Sequence, residues 1–501
     1  MNRSPSSAVS TTATSTASAS AAAVAARPDA DLPRMPQDPP SPTQDGIHDA
    51  CVLQAFVEQG ERILAGLPPR PLRDAQQRHA AKSVHAAARK ARRQFMRAHV
   101  EWVYDRLTDR GEKRLRLSAV CEAASGLFPG LVPSAEQMRV ERRSPQAQKE
   151  GRERDQAIFL AELLAHPRIG EHLLESMRMP GPRALALQAQ YRADGDLARP
   201  TVTLARREGI AYLTIENGGT LNAEDDALVS DLEAATDLAL LDPDVRVCVL
   251  RGGVVDHPKY AGRRVFSAGI NLKHLHAGRI SFVEFLLERE AGFINKIYQG
   301  LLQDDGSGRL QCISKPWLAA VDSFAIGGGA QLLLVFDRVV AAEGSYVCLP
   351  AAKEGIVPGV ANLRLSRHVG AKLARRIILG GHVVHAHDPE AGLLIDEVVA
   401  PERMDEAVAS AARALDNPAV AANRTILNHA EEPVSMFRAY MAEFVLQQSE
   451  RAYSEDVHAK VARHAGAHAA SDADGRPRPV LPADALDGDG AHAERSARSG
   501  S

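Results

Sequence analysis

Two glycine-rich turns constrain this chain more than any other feature. The first reads Phe-Ser-Ala-Gly-Ile-Asn-Leu-Lys at residues 266–273, and the second reads Ala-Ile-Gly-Gly-Gly-Ala-Gln at residues 325–331. Each turn follows an apolar, strand-like run and precedes a helix-like run, and glycine lets the backbone approach a ligand closely there. The first amides of a helix lack intrahelical partners and carry the positive end of the helix dipole. Two such turns that face each other therefore predict a pair of N–H donors able to stabilise one oxyanion.

The composition is that of a globular protein without a marked charge. Of the 501 residues 45% are hydrophobic and 25% are charged, and the net charge of −3 gives no reason to expect binding to nucleic acid or bulk membrane. The five cysteines are far apart, which indicates reduced thiols rather than structural zinc or a disulfide framework. No apolar run approaches the ~20 residues of a membrane span, and no secretory signal is evident. These features favour the cytoplasm.

Changes in composition and periodicity divide the chain into five segments. We expect disordered tails at residues 1–45 and 465–501, because their small, polar and charged residues cannot bury enough apolar surface. Apolar stripes at helical spacing predict a helical N-terminal domain at residues 46–200. Alternating strands and helices predict an α/β core with a largely parallel sheet at residues 201–400. Helices resume from about residue 361, and residues 401–464 are predicted to form a C-terminal helical region.

Local signals place several elements within these segments. Ser134 followed by Gln137 fits a capping box at the start of a helix. Glu208 and Gly209 predict the turn of a β-hairpin. A long helix is expected from about residue 281 to residue 302. The Lys and Arg residues between positions 70 and 116 fit a solvated helix face, with contact to an acidic partner as the alternative.

Residues 202–410 resemble the crotonase, or enoyl-CoA hydratase/isomerase, superfamily. The resemblance depends on the joint order and spacing of the two glycine turns and of short motifs at 222–223, 244–247, 315–316, 356–359 and 392–399. It implies a crotonase-like ββα spiral, a C-terminal trimerisation region, homo-oligomers that are trimers or hexamers, and an acyl-CoA substrate. The superfamily pattern puts the two oxyanion-hole amides on Ile270 and Gly328, which makes both of them catalytic candidates. Glycines that only allow tight helix–sheet packing are the alternative.

The departures from the superfamily pattern argue against a hydratase. Hydratases of this superfamily use two glutamates to add water, and the matching positions here are Gln331 and Ala351, which cannot exchange protons near neutral pH. Glu354 lies three residues after the second position, and we interpret it as a structural carboxylate. Glu224 stands where a leucine is usual, and Arg289 is its candidate partner, because a buried carboxylate needs one. A solvated Glu224 at a helix start is the alternative.

Together with the long N-terminal extension, these departures resemble one branch of the superfamily, the cofactor-independent dioxygenases of glycopeptide antibiotic biosynthesis. The implied reaction converts (3,5-dihydroxyphenyl)acetyl-CoA and O2 to 3,5-dihydroxyphenylglyoxylate and CoA through a stabilised enolate. The resemblance implies that Glu224 and Arg289 hold the ring hydroxyls and that Gln331 adds a catalytic hydrogen bond near the reacting carbon. Another crotonase-type isomerase, thioesterase or hydrolase is the second hypothesis, and a binding subunit without activity is the third.

Residues around the first turn are the candidates for further contacts with the substrate. They are His257, Pro258, Lys259, Tyr260, Ala268, Gly269, Asn271, Leu272 and Lys273. Lysines near this turn suit the phosphates of CoA, and ordinary loop charges explain them about as well. Ala330 and Ile356, with Ile270 and Leu272, are candidate walls of an O2 pocket, and core packing explains each equally well. The sequence does not reveal which group removes the α-proton.

Metal and nucleotide cofactors have little support in the sequence. His274 and His276 alternate on a predicted helix and so do not face one point, and the group at residues 385–388 lies in a turn that is usually exposed. No Gly-x-Gly-x-x-Gly follows a strand, and no Gly-Lys-Ser/Thr loop occurs. We therefore expect no metal and no cofactor, with CoA as part of the substrate and O2 as co-substrate.

Overall fold

The computed structural model describes residues 35–257 and 259–463. Of the two predicted tails, residues 1–34 and 465–501 lie outside the described residues. Met35 is buried among the first helices, inside the segment for which a tail is predicted. Asp45 ends that segment, and its carboxylate accepts hydrogen bonds from the first amides of the first helix.

In the described chain, seven helices precede the first strand. Their bounds are α1 Gly46–Ala65, α2 Ala75–Thr108, α3 Leu117–Leu127, α4 Ala135–Arg143, α5 Arg152–Ala165, α6 Pro167–Arg178 and α7 Pro182–Asp194. The capping box predicted at Ser134 is confirmed, since its hydroxyl accepts from the Gln137 amide and the Gln137 side chain accepts from the Ser134 amide. The apolar stripes of α1 and α2 meet in one hydrophobic cluster with α5 and α6.

Short strands form the centre of the molecule. Their bounds are β1 Asp196–Ala198, β2 Val202–Arg207, β3 Ile210–Ile215, β4 Val247–Gly252, β5 Leu301–Asp304, β6 Leu310–Ile313, β7 Trp317–Val321, β8 Phe324–Ile326, β9 Arg338–Ala342, β10 Tyr346–Cys348, β11 Val383–His385 and β12 Glu397–Val399. The main sheet has the order β1-β2-β3-β4-β7-β9-β12, and it is parallel from β3 to β12. The hairpin predicted at Glu208 and Gly209 joins β2 to β3, and both turn residues have positive φ, as a tight hairpin requires.

Helices cover this sheet and continue beyond it. Their bounds are α8 Asp226–Leu241, α9 Leu272–His276, α10 Asn295–Gln299, α11 Gly328–Leu332, α12 Ala351–Glu354, α13 Ala361–Gly380, α14 Met404–Leu415, α15 Pro418–Glu431 and α16 Val434–Ala452. The parallel sheet with interleaved helices confirms the predicted α/β class. Helix α13 begins at residue 361, where helices were expected to resume, but strands β11 and β12 come between it and α14. None of the described helices is both long and apolar enough to cross a membrane.

The prediction of one long helix from about residue 281 to residue 302 is wrong. Phe282–Leu287 and Arg289–Ile294 are π-helical, α10 follows them, and the chain becomes strand β5 at Leu301. A π-helix makes one turn with more residues than an α-helix and so changes which side chains share a face. This change of register occurs where Arg289 enters the site described below.

Helix α16 joins the C-terminal region to the N-terminal helices. Its buried residues Phe437, Met441, Phe444 and Val445 belong to the same hydrophobic cluster as α1, α2, α5 and α6. The helix packs along α5 and α6. The first and last parts of the described chain therefore share one core, which lies beside the sheet.

Truncating this shared core should destabilise the protein. We expect Val445→Ala to lower the free energy of unfolding by about 2 kcal/mol, because two methyl groups leave a fully buried position. The matched control is Val434→Ala on the same helix, where the valine is 46% exposed and the expected change is within about 0.5 kcal/mol. Urea unfolding followed by circular dichroism measures both. Equal effects would show that α16 does not depend on this packing.

Candidate active site

The structure brings the two glycine turns into direct contact. Ser267 and Ala325 pair in a short parallel bridge, and the Ile326 amide donates to the Ser267 carbonyl at 2.9 Å. Gly269 has a φ of +82°, and a Cβ atom there would lie 3.0 Å from the Ile326 carbonyl oxygen and 3.5 Å from the Gly328 amide nitrogen. Only a glycine fits this close approach without strain. The predicted juxtaposition of the two turns is therefore present.

The amides of Ile270 and Gly328 both border one small cavity. Gly328 is the first residue of α11, so its N–H has no acceptor within the helix. In the part of the chain that the structure describes, neither amide donates a hydrogen bond to a backbone or side-chain oxygen. The site thus holds two neighbouring donors that remain free for an oxygen atom of a ligand.

The cavity between the two turns has a volume of about 60 Å³. Its floor is formed by the two turns, and its walls come from the π-helical segment, from α12 with the loop after it, and from α16. The lining residues outside the turns are Glu224, Phe285, Leu286, Arg289, Glu290, Ala351, Glu354, Ile356, Val357, Pro358, Gly359, Phe444 and Gln448, and Gln331 lines the cavity from the end of the second turn. Apolar side chains and a few convergent charged groups are the usual make-up of a ligand site.

Glu224 and Arg289 form the ion pair that the sequence suggested. The Arg289 Nε donates to Glu224 Oε2 at 2.7 Å and its Nη2 donates to Glu224 Oε1 at 3.2 Å. Both side chains are at least 96% buried, so the alternative of a solvated Glu224 is wrong. Burial alone would lower the pKa of Arg289, but the carboxylates of Glu224 and Glu290 outweigh it and raise that pKa. The guanidinium therefore stays charged in the cavity wall.

Glu290 and Gln331 complete a network around this guanidinium. The Gln331 amide nitrogen donates to both carboxylate oxygens of Glu290 at 2.6 Å, and its carbonyl oxygen accepts from Arg289 at 2.8 Å. Arg289 also donates to Glu290 at 2.9 Å and to the Gly328 carbonyl at 2.9 Å. The Gln331 side chain is thus held in one orientation, and its contact with a reacting carbon stays a prediction.

Sequence reasoning missed Glu290 as a site residue. On a regular α-helix two consecutive residues point about 100° apart, so α-helical spacing does not predict a partner for Arg289 at the next position. The π-helical turn brings both side chains to Gln331. The available signal was the run of three charged residues Glu288, Arg289 and Glu290 between apolar residues.

Glu354 also lies in the cavity wall, whereas the sequence suggested a structural carboxylate. Ala351 and Glu354 are the first and last residues of α12, and three residues make nearly one helical turn, so both face the cavity. Burial raises the pKa of Glu354 to about 7. The pKa of this carboxyl group in the cavity wall is therefore shifted towards neutrality.

The candidate CoA contacts lie around the first turn. Burial lowers the pKa of His257, and the positive charges of Lys259 and Lys273 lower it further, so these three side chains share one region. The Tyr260 ring packs edge-on against Phe324 at 5.2 Å and lies beneath the Lys259 ammonium at 5.4 Å. Pro258 lies outside the described residues. This region combines cations with an aromatic surface.

The other predicted site residues divide between the cavity and the core. Ala268, Gly269, Ile270 and Ile356 line the cavity. Asn271 instead caps α9, since its side-chain oxygen accepts from the His274 amide and its nitrogen donates to Asp225. Leu272 packs beside Ile270 and Ile356 in a small cluster, and Ala330 is buried in the main core rather than in the cavity wall.

The two histidine pairs have neighbours of their own. In residues 35–257 and 259–463 no group of three His, Cys, Asp or Glu side chains is placed to hold a metal ion. His274 lies 3.1 Å from the Asp225 carboxylate, and the rings of His385 and His387 stack with centroids 5.5 Å apart.

The chain matches known proteins over this same region. Residues 205–463 match the family described as enoyl-CoA hydratase/isomerase. The chain is 54% identical over 413 residues to the (3,5-dihydroxyphenyl)acetyl-CoA 1,2-dioxygenase of Amycolatopsis orientalis, which covers 82% of this chain and 95% of that relative. It is 30% identical over 196 residues to the 2,3-dehydroadipyl-CoA hydratase of Escherichia coli K12, which covers 39% and 68%.

Solved structures resemble the same part of the chain. The crystal structure of an enoyl-CoA hydratase from Mycobacterium avium subsp. paratuberculosis K-10 is 22% identical, covers 53% of this chain and 99% of that one, and has a TM-score of 0.44. The match to the family pattern and the 54% identical relative carry the assignment. The crotonase-like fold predicted from the sequence is confirmed by them, and this chain belongs to the enoyl-CoA hydratase/isomerase family.

Proposed function

We propose that this chain is a metal- and flavin-independent dioxygenase that converts (3,5-dihydroxyphenyl)acetyl-CoA and O2 to 3,5-dihydroxyphenylglyoxylate and CoA. The observation that carries the proposal is the 54% identity to a relative whose name states a (3,5-dihydroxyphenyl)acetyl-CoA 1,2-dioxygenase activity. The match covers 95% of that relative's length. The cavity supports it, because two free amides adjoin a largely apolar space in which Gln331 and Ala351 supply no acid or base.

The first chemical requirement is an enolate. The α-hydrogens of an arylacetyl thioester are acidic, because the ring and the thioester both delocalise the carbanion. The Ile270 and Gly328 amides bind the thioester oxygen and stabilise the charge that develops there. Loss of one such donor typically costs ~3–4 kcal/mol of transition-state stabilisation.

The second requirement is a reaction of that enolate with O2. The enolate is electron-rich enough to reduce O2 directly, which leaves no step for a metal or flavin. O2 bonds to the α-carbon and forms a peroxide there. The outer oxygen of this peroxide attacks the thioester carbonyl carbon and expels the CoA thiolate. The O–O bond then breaks as the second α-hydrogen leaves as a proton. Carbon loses four electrons and O2 gains four, both oxygen atoms enter the product, and no water is consumed.

Apolar side chains provide space for O2 beside the enolate. Ile270, Ala351 and Ile356 line the cavity, and Leu272 packs behind two of them. We propose these residues as the O2 pocket. Ala330, the other residue considered for this role, supports the wall from the core.

The aromatic ring of the substrate requires polar partners for its hydroxyl groups. Glu224 lies directly against Gly328, because a Cβ atom at Gly328 would meet the Glu224 carboxylate at 2.6 Å. A phenolic O–H donates well to this carboxylate, whose other contacts come from Arg289. We propose that this pair recognises the dihydroxy ring, while Lys259, Lys273 and Tyr260 contact CoA.

We also propose a homo-oligomer, a trimer or hexamer, in the cytoplasm. Exposed apolar side chains gather on α15 and at the start of α16, where Ile426 is 69% exposed and Leu427 58% exposed, and Val434 and Met436 lie nearby in the chain. A neighbouring copy would bury such a surface. All five cysteines are unpaired, which suits a reducing compartment.

Oxygen uptake tests the reaction directly. Chelator-treated, flavin-free protein should consume one O2 for each CoA released from (3,5-dihydroxyphenyl)acetyl-CoA, since one step couples oxidation to thioester cleavage. An oxygen electrode and a thiol reagent measure both quantities in one sample, and mass spectrometry with labelled O2 should find two labelled atoms in the product.

Other outcomes of that assay identify other functions. CoA release without O2 uptake would indicate a thioesterase or hydrolase. A change in the acyl group with neither signal would indicate an isomerase, and binding without turnover would indicate a binding subunit.

Glu224→Gln tests recognition of the ring. We expect kcat/KM for the dihydroxy substrate to fall ~10- to 100-fold, because a charged hydrogen bond is lost, while kcat/KM for phenylacetyl-CoA falls much less. Glu216→Gln, at an exposed site at the end of β3, is the matched control and should leave both substrates unaffected. An equal loss for both substrates would contradict a role of Glu224 in ring recognition.

The proposed oligomer predicts the molar mass in solution. Light scattering should give three or six times the 53.8 kDa of the chain. We expect Ile426→Glu to reduce that mass, because a charge would replace an apolar contact. A monomeric wild-type protein would contradict the proposal.

A further inference from the structure

The proposed reaction begins with a proton transfer that no residue discussed so far performs. Four charged side chains line the cavity: Glu224, Arg289, Glu290 and Glu354. A guanidinium does not accept a proton near neutral pH. The base must therefore be one of the three carboxylates.

Two of these carboxylates are already committed to other partners. Glu224 accepts two hydrogen bonds from Arg289. Glu290 accepts hydrogen bonds from Arg289 and from the Val360 amide. Both of its carboxylate oxygens also accept from the side-chain nitrogen of Gln331. Their carboxylate oxygens are thus occupied by donors of the protein and are less free to take a proton from the substrate.

Glu354 differs from both of them. In the part of the chain that the structure describes, its carboxylate accepts no hydrogen bond and forms no ion pair. Glu354 is half-buried, and burial of its carboxylate without a compensating partner disfavours the charged form, which raises its pKa to about 7. A general base is most effective when its pKa lies near the working pH.

The position of Glu354 relates it to the second glycine turn. It lies one helical turn from Ala351, the position at which hydratases of the family pattern have a glutamate, and it faces the same cavity. Strand β10 lies between Glu354 and the second glycine turn. The Cys348 carbonyl accepts a hydrogen bond from the Gly327 amide, and burial and the negative charge of Glu354 raise the pKa of the Cys348 thiol. Glu354 thus lines the same cavity as the second glycine turn.

We propose that Glu354 is the general base that removes the α-proton of the bound thioester, an inference that rests on the proposed function. The C–H bond breaks, the proton moves to a carboxylate oxygen of Glu354, and the electron pair enters the enolate, whose oxygen the Ile270 and Gly328 amides hold. The CoA thiolate takes up this proton when it leaves. The carboxylate is then ionised again for the second α-hydrogen.

The groups that surround Glu354 come from its own helix, from β10 and from α16. On its own helix Lys353 is exposed, and from β10 the thiol of Cys348 has a pKa raised to about 11 by burial and by Glu354. Helix α16 presents the uncharged Phe444 and Gln448, and the Arg451–Asp456 ion pair lies beside Gly355. The remaining charged groups are those of the Arg289 network.

Exchange of the α-hydrogens without O2 isolates this step. In D2O under argon, the wild-type protein should exchange the α-hydrogens of the substrate, as followed by mass spectrometry. Glu354→Gln should slow both this exchange and aerobic O2 uptake at least ~100-fold, while a non-reactive CoA thioether analogue still binds. Lys353→Gln, next to it and exposed, is the control and should match the wild type.

The pH profile adds a second readout. Because the base must be ionised, kcat/KM of the wild type should fall about tenfold for each pH unit below about 7, and Glu354→Gln should not show this fall. If Glu354→Gln does not fold, Glu354→Asp retains the charge on a shorter side chain and should show slower exchange with the same shape of profile.

The outcomes separate this proposal from the proposed function. Wild-type rates of exchange and O2 uptake in Glu354→Gln would overturn the role of Glu354 and leave the dioxygenase intact. Normal exchange with lost O2 uptake would also overturn it, because Glu354 would then act after the enolate. A wild-type protein that binds the thioester but neither exchanges nor oxygenates it would overturn both.

Discussion

The geometry of the site depends on one buried guanidinium. Arg289 binds the carboxylates of Glu224 and Glu290, the amide of Gln331 and the Gly328 carbonyl. These groups come from the start of α8, the π-helical segment and the second glycine turn. A charge without solvent is costly unless every donor is satisfied, so this one cation holds three chain segments at fixed distances. The free amides of the two turns keep their spacing because Arg289 binds the carbonyl oxygen of Gly328.

The helical N-terminal part stabilises the same segment from its other side. Glu288, directly before Arg289, accepts from the Ser118 amide and hydroxyl, and Arg116 binds both Glu288 and Glu233. Helix α16, whose core is shared with α5, contributes Phe444 and Gln448 to the cavity. Gln448 also accepts from the Val357 amide. The extension is therefore part of the scaffold that positions the cavity walls.

The sequence predicted those features that depend on local patterns. The glycine turns, the hairpin at Glu208 and the alternation of strands and helices each follow from neighbouring residues. The Glu224–Arg289 pair was predicted across 65 positions, because a buried carboxylate in place of a leucine requires a cation. The inward position of Glu290 was not predictable from α-helical spacing, since it depends on π-helical turns. The accessibility of Glu354 depends on the short α12, whose packing the sequence alone does not reveal.

The placement of carboxylates explains how one scaffold can serve a different chemistry. In the hydratase pattern two glutamates act on water. Here Gln331 is held by Glu290 and Arg289, and Ala351 presents a methyl group, so neither position orients a water molecule for attack. The methyl group instead extends the apolar wall that includes Ile356, while a carboxylate remains available one helical turn away at Glu354. In the proposed reaction, removal of the α-proton and the binding of O2 would then take place in this one cavity. The proposed base, Glu354, and the proposed O2 wall, Ala351 and Ile356, are then different residues, so the wall next to O2 can stay apolar.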